Sequence, residues 1–170
     1  MIQARSRLHH WYAENKRDLP WRSEPSPYHI WLSEIILQQT RVAQGMDYYL
    51  RFVDAFPTVF DLANAEEDSI LKLWQGLGYY NRARNLHAAA KQVVTEHSGS
   101  FPDDYDGLLS LKGVGPYTAA AIASIAYHLP HAVVDGNVIR VLARVHGIEA
   151  PVDQGSTLKE IQNLANAFLS

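Results

Sequence analysis

Apolar residues in this chain return every three or four positions almost from end to end, and no stretch alternates apolar with polar residues over the length of a strand. The class is therefore all-α. A first amphipathic helix is predicted from Ile2 to about Asn15, carried by Leu8, Trp11 and Tyr12 and closed by Lys16-Arg17-Asp18-Leu19-Pro20, with a proline-rich loop (Pro20, Pro25, Pro27) after it. Tyr28 to about Gln39 is strongly apolar (Ile30, Trp31, Ile35, Ile36, Leu37), and Arg41 to Ala55 continues as another helix. Asp61 to Trp74 contains a helix whose first turn carries Glu66, Glu67 and Asp68, which suits the positive end of a helix dipole. Gly76 and Gly78 punctuate the chain before a long helix from Asn81 to His97, ended by Ser98-Gly99. Tyr105 to Ser110 and Pro116 to Tyr127 form two helices around Leu111-Lys112-Gly113-Val114-Gly115. A helix then leaves Asp135-Gly136-Asn137 for His146, and the last one begins at Ser156 or Thr157, with Thr157 and Glu160 spaced as a capping box. With no repeat or long linker, the chain reads as one unit of about eight to ten helices.

Composition limits what such a unit can do. Its 170 residues are 47% hydrophobic and 19% charged, too apolar for a disordered chain. No cysteine is present, which excludes a disulfide framework, a thiolate zinc site, a cysteine nucleophile and an iron-sulfur cluster held by these residues alone. The eight histidines show no metal-ligand spacing. The first residues lack the apolar run of a secretory signal, and no stretch approaches the ~20 apolar residues of a membrane span. The expectation is a cytoplasmic protein, neither secreted nor membrane-bound. A net charge of −3 argues against gripping nucleic acid through bulk positive charge.

Three constellations can carry chemistry. Gly113 and Gly115, directly before a proline-initiated helix, make a tight turn whose amides can face outward as an anion nest, or a plain turn between helices. Such a nest would hold a nucleic-acid phosphate without lysine or arginine. Asp135 lies between an apolar run and a helix, where it is either an ordinary N-cap or an ionised carboxylate fixed rigidly by its cap bonds. Glu34 sits in a helix that is apolar on nearly every side, so it occupies either a narrow wet face or a pocket that raises its pKa. One protonated and one ionised carboxylate would suit glycosidic cleavage. The run from Trp74 to Arg84 mixes aromatics, glycines and two arginines, as a DNA wedge or as core aromatics before a solvated helix.

These segments, with Leu19-Pro20-Trp21-Arg22, Pro27 to Glu34, Leu37-Gln38-Gln39-Thr40-Arg41-Val42 and Val134 to Val138, resemble the helix-hairpin-helix DNA glycosylase superfamily, and within it the MutY-type adenine DNA glycosylases. The resemblance runs from about residue 16 to 147. It implies a six-helix-barrel subdomain of about residues 16–135 containing the 111–117 hairpin, with the N-terminal helix and residues 136–170 forming part of a second subdomain. It implies hydrolysis of adenine mispaired with 8-oxoguanine or guanine in duplex DNA, by a monomer acting in base-excision repair. By that pattern Glu34 protonates the leaving adenine, Asp135 stabilises the oxocarbenium sugar, and Tyr117 and Asn137 order Asp135. Arg17, Trp21, Arg22 and Leu37 would line the flipped-base pocket. Gln38, Gln39, Thr40, Tyr79 and Arg82 would contact DNA, Gln39 and Tyr79 by entering the stack. Backbone groups of Leu111, Gly113, Val114 and Gly115 would hold a phosphate, with K+ or Na+ on the carbonyls of Leu109, Leu111 and Val114. A 4Fe-4S cluster and a C-terminal recognition domain are implied for the full-length protein, and the segments bearing them are expected to be absent here.

Two other readings stay open: a non-catalytic helix-hairpin-helix DNA-binding module, and an endonuclease III-like glycosylase for another damaged base. The paired Glu34 and Asp135 count against the first. The lyase branch carries a lysine where this chain has Tyr117, which counts against the second and implies hydrolysis without strand cleavage.

Overall fold

The structure, a computed structural model, describes residues 2–23 and 25–169. Among them are eleven helices and no strand: α1 (Ile2–Asn15), α2 (Pro20–Ser23), α3 (Pro27–Leu37), α4 (Val42–Ala55), α5 (Val59–Asn64), α6 (Glu67–Trp74), α7 (Asn81–His97), α8 (Tyr105–Ser110), α9 (Pro116–Ala126), α10 (Gly136–His146) and α11 (Gly155–Leu169). None is long and apolar enough to cross a membrane.

Helix α3 is the hub, because it is apolar all round and every face needs cover. It packs against α2, α4, α7 and α9, burying Ile30, Trp31, Leu32 and Ile36 almost completely. Ser26 starts it by accepting the His29 amide, with Pro27 at its first position. Further along, α5 and α6 pack on α7, and α8 packs on α9. Buried His87 of α7 reaches the Ala63 carbonyl at the end of α5, Nε2 to O 3.3 Å, and burial holds its pKa below the ordinary value. α10 pairs with α11, whose buried Ile161 and Ala165 lie outside the main core cluster.

At four places the structure departs from the expectations or adds to them. Pro20 opens a one-turn helix rather than a loop, since proline already has a helical φ and the missing amide is no loss in a first turn. The helix expected within Asp61 to Trp74, with Glu67 and Asp68 in its first turn, is α6; a further helix, α5, precedes it, started by a reciprocal capping box of Thr58 and Asp61 and ended by Ala65 in extended conformation. α11 starts at Gly155, so Thr157 is a buried residue inside the helix rather than its cap. Finally, Leu8, Trp11 and Tyr12 of α1 are exposed instead of entering the core; Leu8 faces a groove shared with Val141 and Val145 of α10.

Candidate active site and DNA interface

α3 and α9 lie side by side and bring Glu34, from the middle of one, against Tyr117, from the first turn of the other. The Tyr117 hydroxyl lies within reach of the Glu34 carboxylate, to which it can donate. Burial pushes the Glu34 carboxyl up to about 7, against the opposing pull of the Arg22 guanidinium and the Tyr117 hydrogen bond. Tyr117 itself is pushed up to about 12, first by burial and then by the negative charges of Glu34 and Asp135. One tyrosine therefore feels both carboxylates. The result is a pair in unlike settings, one in a pocket that favours its neutral form and one fixed at a helix mouth.

Asp135 is the N-cap of α10. Its Oδ1 accepts the Val138 amide at 2.8 Å, and its Oδ2 accepts from Asn137 Nδ2 at 3.0 Å. Each carboxylate oxygen thus has a local donor, which fixes the group's direction without tying it to the core. The preceding valines, Val133 and Val134, are half-buried.

The residues expected around a flipped base are less uniform. Arg22 sits near Glu34, as its pull on that carboxyl requires, and its guanidinium lies 5.8 Å from the Tyr12 ring centroid. Trp21 is buried edge-on against Tyr49, ring centroids 4.9 Å apart, so it walls the region rather than presenting a free face. Arg17 is exposed, and its carbonyl accepts from Arg22 Nη1 at 3.5 Å. Half-buried Leu37 presses on Gly45 of α4 so closely that a Cβ there would lie 2.6 Å from its Cδ2.

At the C-terminal end of α3 the chain turns through Gln38, Gln39 and Thr40, with the Thr40 amide bonded to the Leu37 carbonyl at 3.1 Å. Opposite stands the α6–α7 loop with Tyr79, which is 70% exposed. The two segments border one open cleft with Tyr80, Asn81 and Arg82. Gln39 and Tyr79 are both left-handed, at φ 58 and 47, a conformation uncommon outside glycine. Arg82 turns inward, donating to carbonyls at both edges of the cleft. This differs from an arginine reaching out to a phosphate.

The hairpin is held from behind by α7. Gln92 of α7 accepts the Lys112 amide, 3.1 Å from its Oε1, and its Nε2 lies 3.5 Å from the Ser110 carbonyl. Gly113 has φ 74, and a Cβ on it would lie 2.7 Å from the Asn85 Cβ. Gly115 is extended, and a Cβ there would meet nothing within 4 Å. Among the described residues, the Gly113 and Gly115 amides have no acceptor within the chain, whereas the Val114 amide bonds back to the Leu111 carbonyl at 3.1 Å. Two free amides beside the start of α9 form an anion-facing surface. Gly113→Ala should cost about 1–3 kcal/mol in urea unfolding, through its left-handed backbone and the Asn85 contact. Gly115→Ala should stay within about 0.5 kcal/mol of wild type; equal effects at both positions would contradict this account.

Gln92 and Asn85 received no role from the sequence because nothing local marks one for them; their importance arises only when α7 meets a hairpin twenty or more residues further on. Among the described residues no group of His, Asp and Glu is arranged to hold a metal ion. Without cysteine the chain offers no thiolate to an iron-sulfur cluster, so the side chains present do not fit one.

The profile of the family described as HhH-GPD superfamily base excision DNA repair protein matches residues 32–167. The adenine DNA glycosylase of Mus musculus is 48% identical over 97% of this chain, which spans 34% of that protein. The adenine DNA glycosylase of Buchnera aphidicola subsp. Acyrthosiphon pisum (strain APS) is 38% identical over 93% of this chain and 45% of its own length. Among solved structures, a thermostable thymine-DNA glycosylase superposes with a TM-score of 0.86 at 29% identity, covering 98% of this chain and 77% of that one. This all-helical chain, with its hairpin before α9, belongs to the HhH-GPD superfamily of base excision DNA repair proteins.

Proposed function

We propose that this chain is the catalytic core of a monofunctional adenine DNA glycosylase that hydrolyses the N-glycosidic bond of adenine mispaired with 8-oxoguanine or guanine. The observation that carries the reading is Tyr117 standing between Glu34, raised to about 7, and the capped carboxylate Asp135. Duplex DNA would dock on the hairpin amides and the Gln39–Tyr79 cleft, and the adenine would leave the stack for the space beside Glu34 and Arg22. Arg17, Trp21 and Leu37 belong to the walls of that space.

In the reaction the bond between C1′ and adenine breaks, and its electron pair departs with the base. Glu34 supplies the proton that neutralises the leaving adenine. The sugar is left as an oxocarbenium ion facing Asp135, whose carboxylate stabilises the positive charge and whose direction is kept by Asn137 and the Val138 amide. Water then adds to C1′ and returns a proton to Glu34, leaving an abasic site. Tyr117 orders the sugar and both carboxylates. It has no amine, so it forms no Schiff base.

At the hairpin, K+ or Na+ on the carbonyls of Leu109, Leu111 and Val114 would add positive charge under the phosphate. Of these three, Leu111 has a hydrogen-bond donor outside the regular helix pattern, the Val114 amide, so lone pairs are left for an ion. Action in the cytoplasm, a monomeric state, and a 4Fe-4S cluster with a recognition domain elsewhere in the full-length protein complete the proposal. No step runs through the cluster.

The test incubates the chain with duplex carrying one adenine opposite 8-oxoguanine and measures free adenine. Release is expected, with an intact abasic strand and no covalent complex trapped by borohydride. No release would end the enzymatic reading in favour of a DNA-binding module. Substantial trapping would overturn the monofunctional assignment.

A further inference from the structure

Arg82, at the start of α7, is bonded to two separate pieces of backbone. Its Nη1 donates to the carbonyls of Ile35 at 3.2 Å and Ile36 at 3.4 Å, and also to Gln38. Its Nη2 donates to the carbonyls of Leu77 at 3.2 Å and Gly78 at 3.5 Å. The guanidinium lies over the Trp74 ring, 5.1 Å from its centroid, and 5.8 Å from that of Tyr79. Burial lowers its pKa from the ordinary arginine value.

Gln38 immediately precedes Gln39, and Gly78 immediately precedes Tyr79. These next residues are the two left-handed non-glycine positions at the cleft, with φ 58 and 47. Neither has a residue type that favours this conformation, so the surroundings must hold it. A planar fork can donate to both edges at once, whereas a lysine ammonium is a single centre.

We propose that Arg82 is the positioning residue for stack entry: it holds the backbones before Gln39 and Tyr79 together, so that both side chains meet DNA as one preset wedge, and it contacts no phosphate. This rests on the DNA-binding reading above. The inward guanidinium separates it from a phosphate ligand. A phosphate contact would contribute a unit of salt dependence, whereas a clamp contributes none.

The experiment uses the whole chain and a duplex with 2-aminopurine beside an adenine–8-oxoguanine mispair, at saturating protein. Wild type should raise the probe's fluorescence by unstacking it. Arg82→Lys, studied below its own melting temperature with its helical circular dichroism intact, should lose about nine-tenths of that rise, because the left-handed conformers are no longer held. The salt slope of Arg82→Gln, which removes the charge, should equal that of wild type. In a Gln39→Ala/Tyr79→Ala background, Arg82→Lys should change the signal no further. Adding Gln39→Asn, a residue that enters the left-handed region more readily, should restore part of the rise, which recovered fold stability alone would not do. If Arg82→Lys fails to fold, Arg82→Gln serves in the same comparisons.

A full rise in Arg82→Lys, or a salt slope of Arg82→Gln reduced by about one, would overturn the proposal while leaving the DNA-binding reading in place. No rise with wild type would instead remove the wedge reading, and this role with it.

Discussion

Glu34→Gln should lower kcat/KM for adenine release by about 10²–10⁴-fold, the usual contribution of a positioned general acid. Glutamine keeps the shape and accepts the Tyr117 hydrogen bond, but it has no proton to give to the leaving base. Wild-type kcat/KM, which reports groups in the free enzyme, should fall as pH rises through about 7, where Glu34 ionises. Stability should respond in the same direction. A carboxyl raised from 4.5 to about 7 on folding binds its proton more tightly in the native state. Its contribution is therefore complete below about 4.5 and is lost as pH rises through about 7. At about 1.4 kcal/mol per unit the ionised group costs the fold roughly 3 kcal/mol. The glutamine variant should thus be more stable than wild type at about pH 8 and similar near pH 4. A flat pH–rate profile from 6 to 8, or a variant of wild-type activity, would remove Glu34 from the acid role.

The largest loss of stability is expected from Trp74→Ala, at about 3–5 kcal/mol for emptying a fully buried tryptophan site. Trp74 is 0% exposed at the end of α6 and meets Phe52 edge-on, with ring centroids 5.8 Å apart. Its Nε1 donates to the Gly78 carbonyl at 2.9 Å, and Arg82 lies over its face. The substitution would open a cavity in the core and remove the floor beneath the loop that displays Tyr79. Urea titration should show a lower midpoint with an unchanged slope. A loss below about 1 kcal/mol would mean that the site collapses around the void.

Helices whose limits depend on local chemistry were legible in the sequence. Asn81 to His97 and Tyr105 to Ser110 emerge with the predicted bounds, since Gly99 and Asp104 mark their ends within a residue or two. α5 was harder to read: its start is set by a side-chain exchange between Thr58 and Asp61, and its end by extended Ala65 inside a continuous helical period. The exposure of α1 was equally hidden: a stripe of Leu8, Trp11 and Tyr12 states that a face is apolar, not what will cover it. At the site, Glu34 and Asp135 could be picked out by their unusual neighbours in sequence. Their common electrostatic influence on Tyr117 is tertiary, as is the inward turn of Arg82, which looks like any other surface arginine at a helix start.

Helix α7 braces both proposed DNA-contacting segments on one rod. Arg82 at its first turn secures the cleft, and Asn85 and Gln92 further along seat the hairpin. From Arg82 to Gln92 the rise is about 15 Å, and each residue turns the helix by about 100°. The distance and phase between the cleft and the hairpin are therefore set by a residue count, as on a ruler, rather than by a flexible connection. An insertion between positions 85 and 92 would rotate Arg82 away from Gln92 about the helix axis.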